Sequence, residues 1–80
     1  MTTHAAQALL ARHGVCAQQL LERHARGDWG DLAAADREAN QLAIEAGSFI
    51  LSAYRVDDQR VWVVREPSRQ QTWLLLPQEY

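Results

Sequence analysis

Residues 48–76, SFILSAYRVDDQRVWVVREPSRQQTWLLL, decide the fold. Three runs within them, 48–56, 60–66 and 72–76, are rich in β-branched, aromatic and aliphatic residues, the composition of strands. Asp57-Asp58-Gln59 divides the first run from the second, and Pro67-Ser68-Arg69-Gln70 divides the second from the third. Both are turn chemistry, and connections this short join only antiparallel neighbours. The expected sheet is a three-stranded meander. Its register stays open, because the first turn can be two, three or four residues long and a slip of one residue exchanges the faces. In every register Val61 and Val63 oppose Trp62 and Val64, while Thr72, Leu74 and Leu76 oppose Trp73 and Leu75. Both faces therefore carry large apolar groups.

Upstream of this stretch the period lengthens. Leu9, His13, Cys16, Leu20 and His24 recur at steps of four, three, four and four, which predicts a helix over residues 4–26. Gly14 is placed to kink or break it, and Gly27 to end it in the left-handed conformation. Leu32, Ala35, Ala39, Leu42 and Ala46 predict a second helix over 32–46, with Asp31 or Asp36 as N-cap and Gly47 as its stop. The expected architecture is α+β, a single domain over residues 1–80 in the order ααβββ, with two helices on one face of the meander. The other face is expected to show an apolar patch, the mark of a partner site or a dimer contact. Monomer and homodimer both remain open.

A chain of 80 residues buries only about 60–65% of its unfolded surface, so the core is thin. Ligand pockets of roughly 300–1,000 Å³ are hard to house in it. A protein that works through its surface is the better expectation. The net charge of −2 argues against nonspecific nucleic-acid binding, which needs a basic face. All eight basic residues are arginine, which suits bidentate contacts and is equally a signature of GC-rich coding. The lone Cys16 allows no internal disulfide. The first residues lack the apolar core and cleavage site of a signal peptide, and no run approaches the ~18 apolar residues of a membrane span. A cytoplasmic protein is expected.

The reactive side chains do not assemble into a chemistry. His13 and His24 would stand roughly 16 Å apart along a straight helix, too far to share a metal ion, and His13 with Cys16 supplies two ligands where structural zinc needs four. They are expected as half-buried packing residues. If Gly14 breaks the helix, Cys16 falls in the first turn of a new one, a setting that activates thiols, but no supporting motif accompanies it. Asp28, Asp31, Asp36 and Glu38 flank a glycine-rich joint and are better explained by helix capping than by acid–base catalysis. GDWGD has no lysine and the wrong charge for a phosphate loop. No metal, no cofactor and no enzymatic activity are expected.

Charge is unevenly placed. Residues 1–27 carry +2, residues 28–45 carry −4 and residues 46–80 balance. The acidity gathers at the joint HARGDWGDL, residues 24–32, and along the second helix. An acidic patch beside an exposed tryptophan fits a basic partner, with charge steering the encounter and the aromatic anchoring it. The candidate partner-binding residues are Asp28, Trp29, Asp31, Asp36, Glu38, Glu45 and Trp73.

His24, GDWGDL at 27–32, Asp36, Asn40, Gly47, LSAY at 51–54 and LLPQEY at 75–80 resemble a family of small proteins from plasmids, phages and integrated elements. Its members read H-x-x-GDWGDL, D-x-x-x-N, G-x-x-LLSAY, WIITEADRS-x-T and LLPEEY. The likeness runs from His24 to Tyr80. Arg65 stands where relatives often carry threonine, and Pro67-Ser68 replaces their Ala-Asp, so no role of the second turn carries over. Size, acidity and a mobile-element setting also make the chain similar to anti-CRISPR proteins, in particular one directed against type I-C systems. The resemblance implies an inhibitor that binds the Cascade effector and blocks target DNA, with its acidic residues facing basic, DNA-guiding surfaces of a protein partner and making no direct nucleic-acid contact. Some relatives carry labels from type I restriction systems, although 80 residues cannot hold a methyltransferase or nuclease domain. The alternative the resemblance allows is an accessory or adaptor protein of a restriction-modification or conjugative element.

Overall fold

The structure, a computed structural model, describes residues 1–46, 50–66 and 71–80, with Glu45, Ala46 and Glu66 described by their backbone alone. The expected helix stop at Gly47, the first two residues of the 48–56 strand and the second turn lie outside the described residues. The chain forms α1 (His4–Arg12), α2 (Ala17–Ala25), α3 (Ala34–Ala46), β1 (Ile50–Val56), β2 (Gln59–Glu66), β3 (Gln71–Leu75) and a 3₁₀ turn at Pro77–Glu79. This is the α+β layout expected, with the helices ahead of a three-stranded antiparallel sheet.

The helix expected over residues 4–26 is two helices. Gly14 has φ +67° and nothing within 4 Å of where a Cβ would stand, so conformation rather than space requires glycine there. Its N–H and that of His13 tie off the last carbonyls of α1, at Ala11 and Leu10. At the other end of α1, the Thr3 hydroxyl accepts from the Ala6 N–H at 3.2 Å. The next helix begins two residues later than expected. Asp31 does not cap it, because it stands three residues ahead of Ala34 and its carboxylate pairs with Arg60. Asp36 does not cap it either: it lies inside the first turn, where its charge complements the helix dipole.

The strand order is β1-β2-β3. Val56 pairs with Gln59, so the first turn has two central residues, Asp57 and Asp58, and Asp57 takes φ +58°. That length settles the register. Tyr54 faces Val61, Ser52 faces Val63, and Val63 faces Leu74. These residues share one side of the sheet, and all are buried. Ala6, Leu9 and Leu10 of α1 and Leu20 of α2 close over them to make the main core. Burying such aliphatic side chains contributes about 1.5–3 kcal/mol each. Among the described residues, α3 contributes none to that cluster. It meets β1 through Asn40, whose amide donates to the Leu51 carbonyl at 2.6 Å and accepts from the Leu51 N–H at 3.2 Å.

The second side of the sheet carries Leu51, Ala53, Trp62, Val64, Trp73 and Leu75. It is less bare than the sequence suggests. Ala53, Val64 and Leu75 are buried, Trp62 and Trp73 half-buried. The chain end returns across this side, and the Tyr80 ring meets Trp62 edge-on at 6.1 Å between centroids. Both outer edges of the sheet are also occupied. Along β1, Ala53 donates to the Trp29 carbonyl at 3.0 Å and accepts from Asp31. Along β3, Leu74 donates to the Met1 carbonyl at 2.7 Å and accepts from the Thr3 N–H at 3.0 Å.

Candidate functional site: the 24–32 joint and the cleft beside it

The joint HARGDWGDL is built almost entirely by contacts that shape the fold. α2 ends at Ala25, and Gly27 follows with φ +79°. The Asp28 N–H reaches the Arg23 carbonyl at 2.9 Å, and the Gly27 N–H reaches the His24 carbonyl at 3.1 Å. This is a Schellman motif, which needs a left-handed residue where Gly27 stands. The Asp28 carboxylate then accepts from the Arg23 Nε at 2.7 Å and from the Gly30 N–H at 3.3 Å. The guanidinium hydrogen bond is the main reason this carboxyl is held below the usual carboxylate range. The same pair holds Arg23 above its ordinary value. The Asp28 carbonyl accepts from the Tyr54 hydroxyl at 2.6 Å, and the Arg23 guanidinium lies 4.5 Å from the Tyr54 ring centroid. Burial pushes the Tyr54 hydroxyl up.

Trp29 is buried, at 7% exposure. This corrects its expected role as a surface anchor: the bridge from residues 29–31 to Ala53 turns the indole away from solvent. Gly30 follows with φ +71°. Past it, Asp31 pairs with Arg60 at 3.1 Å. Arg37 of α3 reaches back to the Gly30 carbonyl and, at 3.1 Å, to the Leu32 carbonyl.

The reactive side chains named from the sequence are scattered. His13 follows α1 and Cys16 precedes α2; both are exposed rather than packed, because the break at Gly14 turns them outward. His24 does pack. Its Nδ1 stands 2.6 Å from the hydroxyl of Ser52, which is fully buried. Burial lowers the His24 pKa, and the positive charge of Arg65 lowers it further. Among the described residues no group of three or more His, Cys, Asp or Glu side chains could hold a metal ion.

The acidic candidates do not form one patch. Asp28 is tied to Arg23 and Asp31 to Arg60. Asp36 and Glu38 are exposed and in no ion pair among the described residues. Two residues apart on a helix, they point about 200° away from each other around its axis. The side chain of Glu45 lies outside the described residues. Trp73 is half-buried, with its Nε1 donating to the Gln71 amide oxygen at 3.2 Å.

Asp36 and Asp31 meet elsewhere. Together with Leu32, Leu51, Arg60 and Trp62 they line a cleft of about 480 Å³ between the start of α3 and the second side of the sheet. Arg60 and Trp62 are functional candidates that sequence reasoning missed. The signal that would have found them is the two-residue length of the Asp57-Asp58 turn, which sets Arg60 opposite Arg55 and Trp62 opposite Ala53. Among the described residues no helix is long and apolar enough to cross a membrane. The chain matches no protein-family profile, no curated protein and no solved structure.

Proposed function

We propose that the chain is a non-enzymatic anti-CRISPR protein that binds the Cascade effector of a type I system, of the I-C kind, in the bacterial cytoplasm and keeps target DNA from it. The observation that carries this reading is the cleft where the Asp31 and Asp36 carboxylates and the Trp62 indole come together. A negative, aromatic-bearing surface complements a basic channel built to follow a phosphate backbone, and it competes for that channel without any bond being made or broken. The choice of effector rests on the resemblance of residues 24–80 to small mobile-element proteins.

The test is co-elution of the purified chain with type I-C Cascade, alongside a gel shift of target DNA. The expected result is a complex that forms at low salt, weakens as salt rises and prevents the DNA shift. The double variant Asp36→Asn/Glu38→Gln should weaken association while the chain stays folded, its melting transition lowered only by the helix-dipole contribution of Asp36, since neither side chain is buried. Absence of association, with normal interference in cells expressing the chain, rules the proposal out.

A further inference from the structure

We infer that the cleft between α3 and the sheet receives an arginine side chain of the partner, its guanidinium stacked on Trp62 and paired with Asp36. This rests on the reading above and gives its contact a chemistry. Of the two carboxylates lining the cleft, Asp31 is already satisfied by Arg60 at 3.1 Å, whereas Asp36 is in no ion pair among the described residues. Among the lining residues two carboxylates stand against one guanidinium, and the nearby Arg37 guanidinium is engaged by the Gly30 and Leu32 carbonyls. Trp62 is half-buried in the same wall, steadied by the edge-on Tyr80 ring, so it offers an ordered aromatic surface. Leu32 and Leu51 give the cleft an apolar lining that suits the methylene stem of a long side chain. A planar, weakly hydrated guanidinium can stack on an indole and bind a carboxylate at once; a lysine ammonium, compact and strongly hydrated, gains less from the stack. A partner carboxylate would have to displace Asp31 from Arg60 and approach Asp36 against like charge.

The seat is tested by NMR titration of the ¹⁵N-labelled chain with a tri-arginine amide and, separately, with the neutral isostere tri-citrulline amide. The three indole N–H signals are separate reporters, because Trp29, Trp62 and Trp73 sit in different places. The arginine peptide should move the Trp62 signal and leave that of buried Trp29 still, and the citrulline peptide should move neither. Asp36→Asn should weaken the arginine peptide about three- to fivefold, the scale of one exposed ion pair. Arg60→Gln should tighten it, since it removes the competing cation. Equal responses to both peptides, or an Asp36→Asn variant that binds as well as the parent, overturn the inference. The same variants in the Cascade assay separate the two proposals. Cascade binding that ignores Asp36→Asn ends the arginine seat and leaves the inhibitor reading standing. A filled seat without Cascade association ends the effector reading and leaves the seat.

Discussion

Gly30 lies so close to β1 that a Cβ built on it would stand 2.2 Å from the Ala53 carbonyl oxygen and 2.6 Å from the Tyr54 ring. Neither neighbour can yield: one is backbone held in the bridge to residues 29–31, and the other is a buried ring. The positive φ adds a second penalty. Gly30→Ala should therefore cost at least about 2 kcal/mol, more than the left-handed conformation alone would. Gly27→Ala meets only the Trp29 ring at an ordinary 3.9 Å and should cost about 1 kcal/mol. Urea midpoints of the two variants, compared at a common m-value, check the order.

Tyr54→Phe keeps the ring under Arg23 and removes only the hydroxyl that donates to the Asp28 carbonyl. The expected loss is about 1–2 kcal/mol, since a part-buried acceptor loses its donor. Tyr54→Leu should lose more, because the cation–π contact and the ring's packing go too. Thermal melts of the pair separate the hydroxyl from the ring.

Asn40 acts toward β1 as a neighbouring strand would, satisfying both the N–H and the carbonyl of Leu51. Asn40→Leu should destabilise by about 2–3 kcal/mol, because two backbone groups are left unmatched beside an apolar side chain. Asn40→Asp keeps an acceptor for the Leu51 N–H and sets a carboxylate against the Leu51 carbonyl, so it should be destabilising at neutral pH and recover as the carboxyl protonates. Hydrogen exchange at the Leu51 amide reads the effect locally.

The half-buried His24 imidazole sets a pH dependence. Its pKa is lowered from 6.5 by burial and by Arg65, so the unfolded chain takes up its proton first as pH falls. The stability it contributes is complete above about 6.5 and is lost as pH falls from there through the lowered folded value. His24→Gln should flatten this part of the profile. The pair between Arg23 and Asp28 acts in a lower window: the depressed carboxyl contributes above its ordinary 3.8 and loses that contribution only at more acid pH. Urea midpoints from pH 7.5 to 3, for parent and variant, distinguish the two.

The layout of helices and strands is readable in the chain because it rests on local signals. Val61, Val63 and Leu74 alternate with their neighbours, Gly27 marks a helix end, and Asp57-Asp58 marks a tight turn. What the chain hides is whatever depends on distant partners. Trp29 looks like an exposed anchor beside acidic residues, and only its bridge to a strand more than twenty residues away puts it inside. Asp31 looks like a helix cap, but Arg60 across the fold takes its charge. The cleft needs Asp36 and Trp62 from opposite halves of the chain, and no periodicity connects those. The motif that carries the resemblance is explained largely by folding: Gly27 closes a helix, Gly30 admits Tyr54, Asn40 binds Leu51 and Ser52 meets His24.

The backbone of residues 29–31 along β1 and of Met1–Thr3 along β3 also decides how another molecule can approach. An extended peptide that tries to template itself on either border finds Ala53 and Leu74 taken. Recruitment of a fourth strand, whether from a partner or in runaway self-association, would first require peeling one of these short straps away. A molecule approaching either border therefore meets side chains rather than open backbone at these positions, and substitution can retune those one at a time without reopening the sheet.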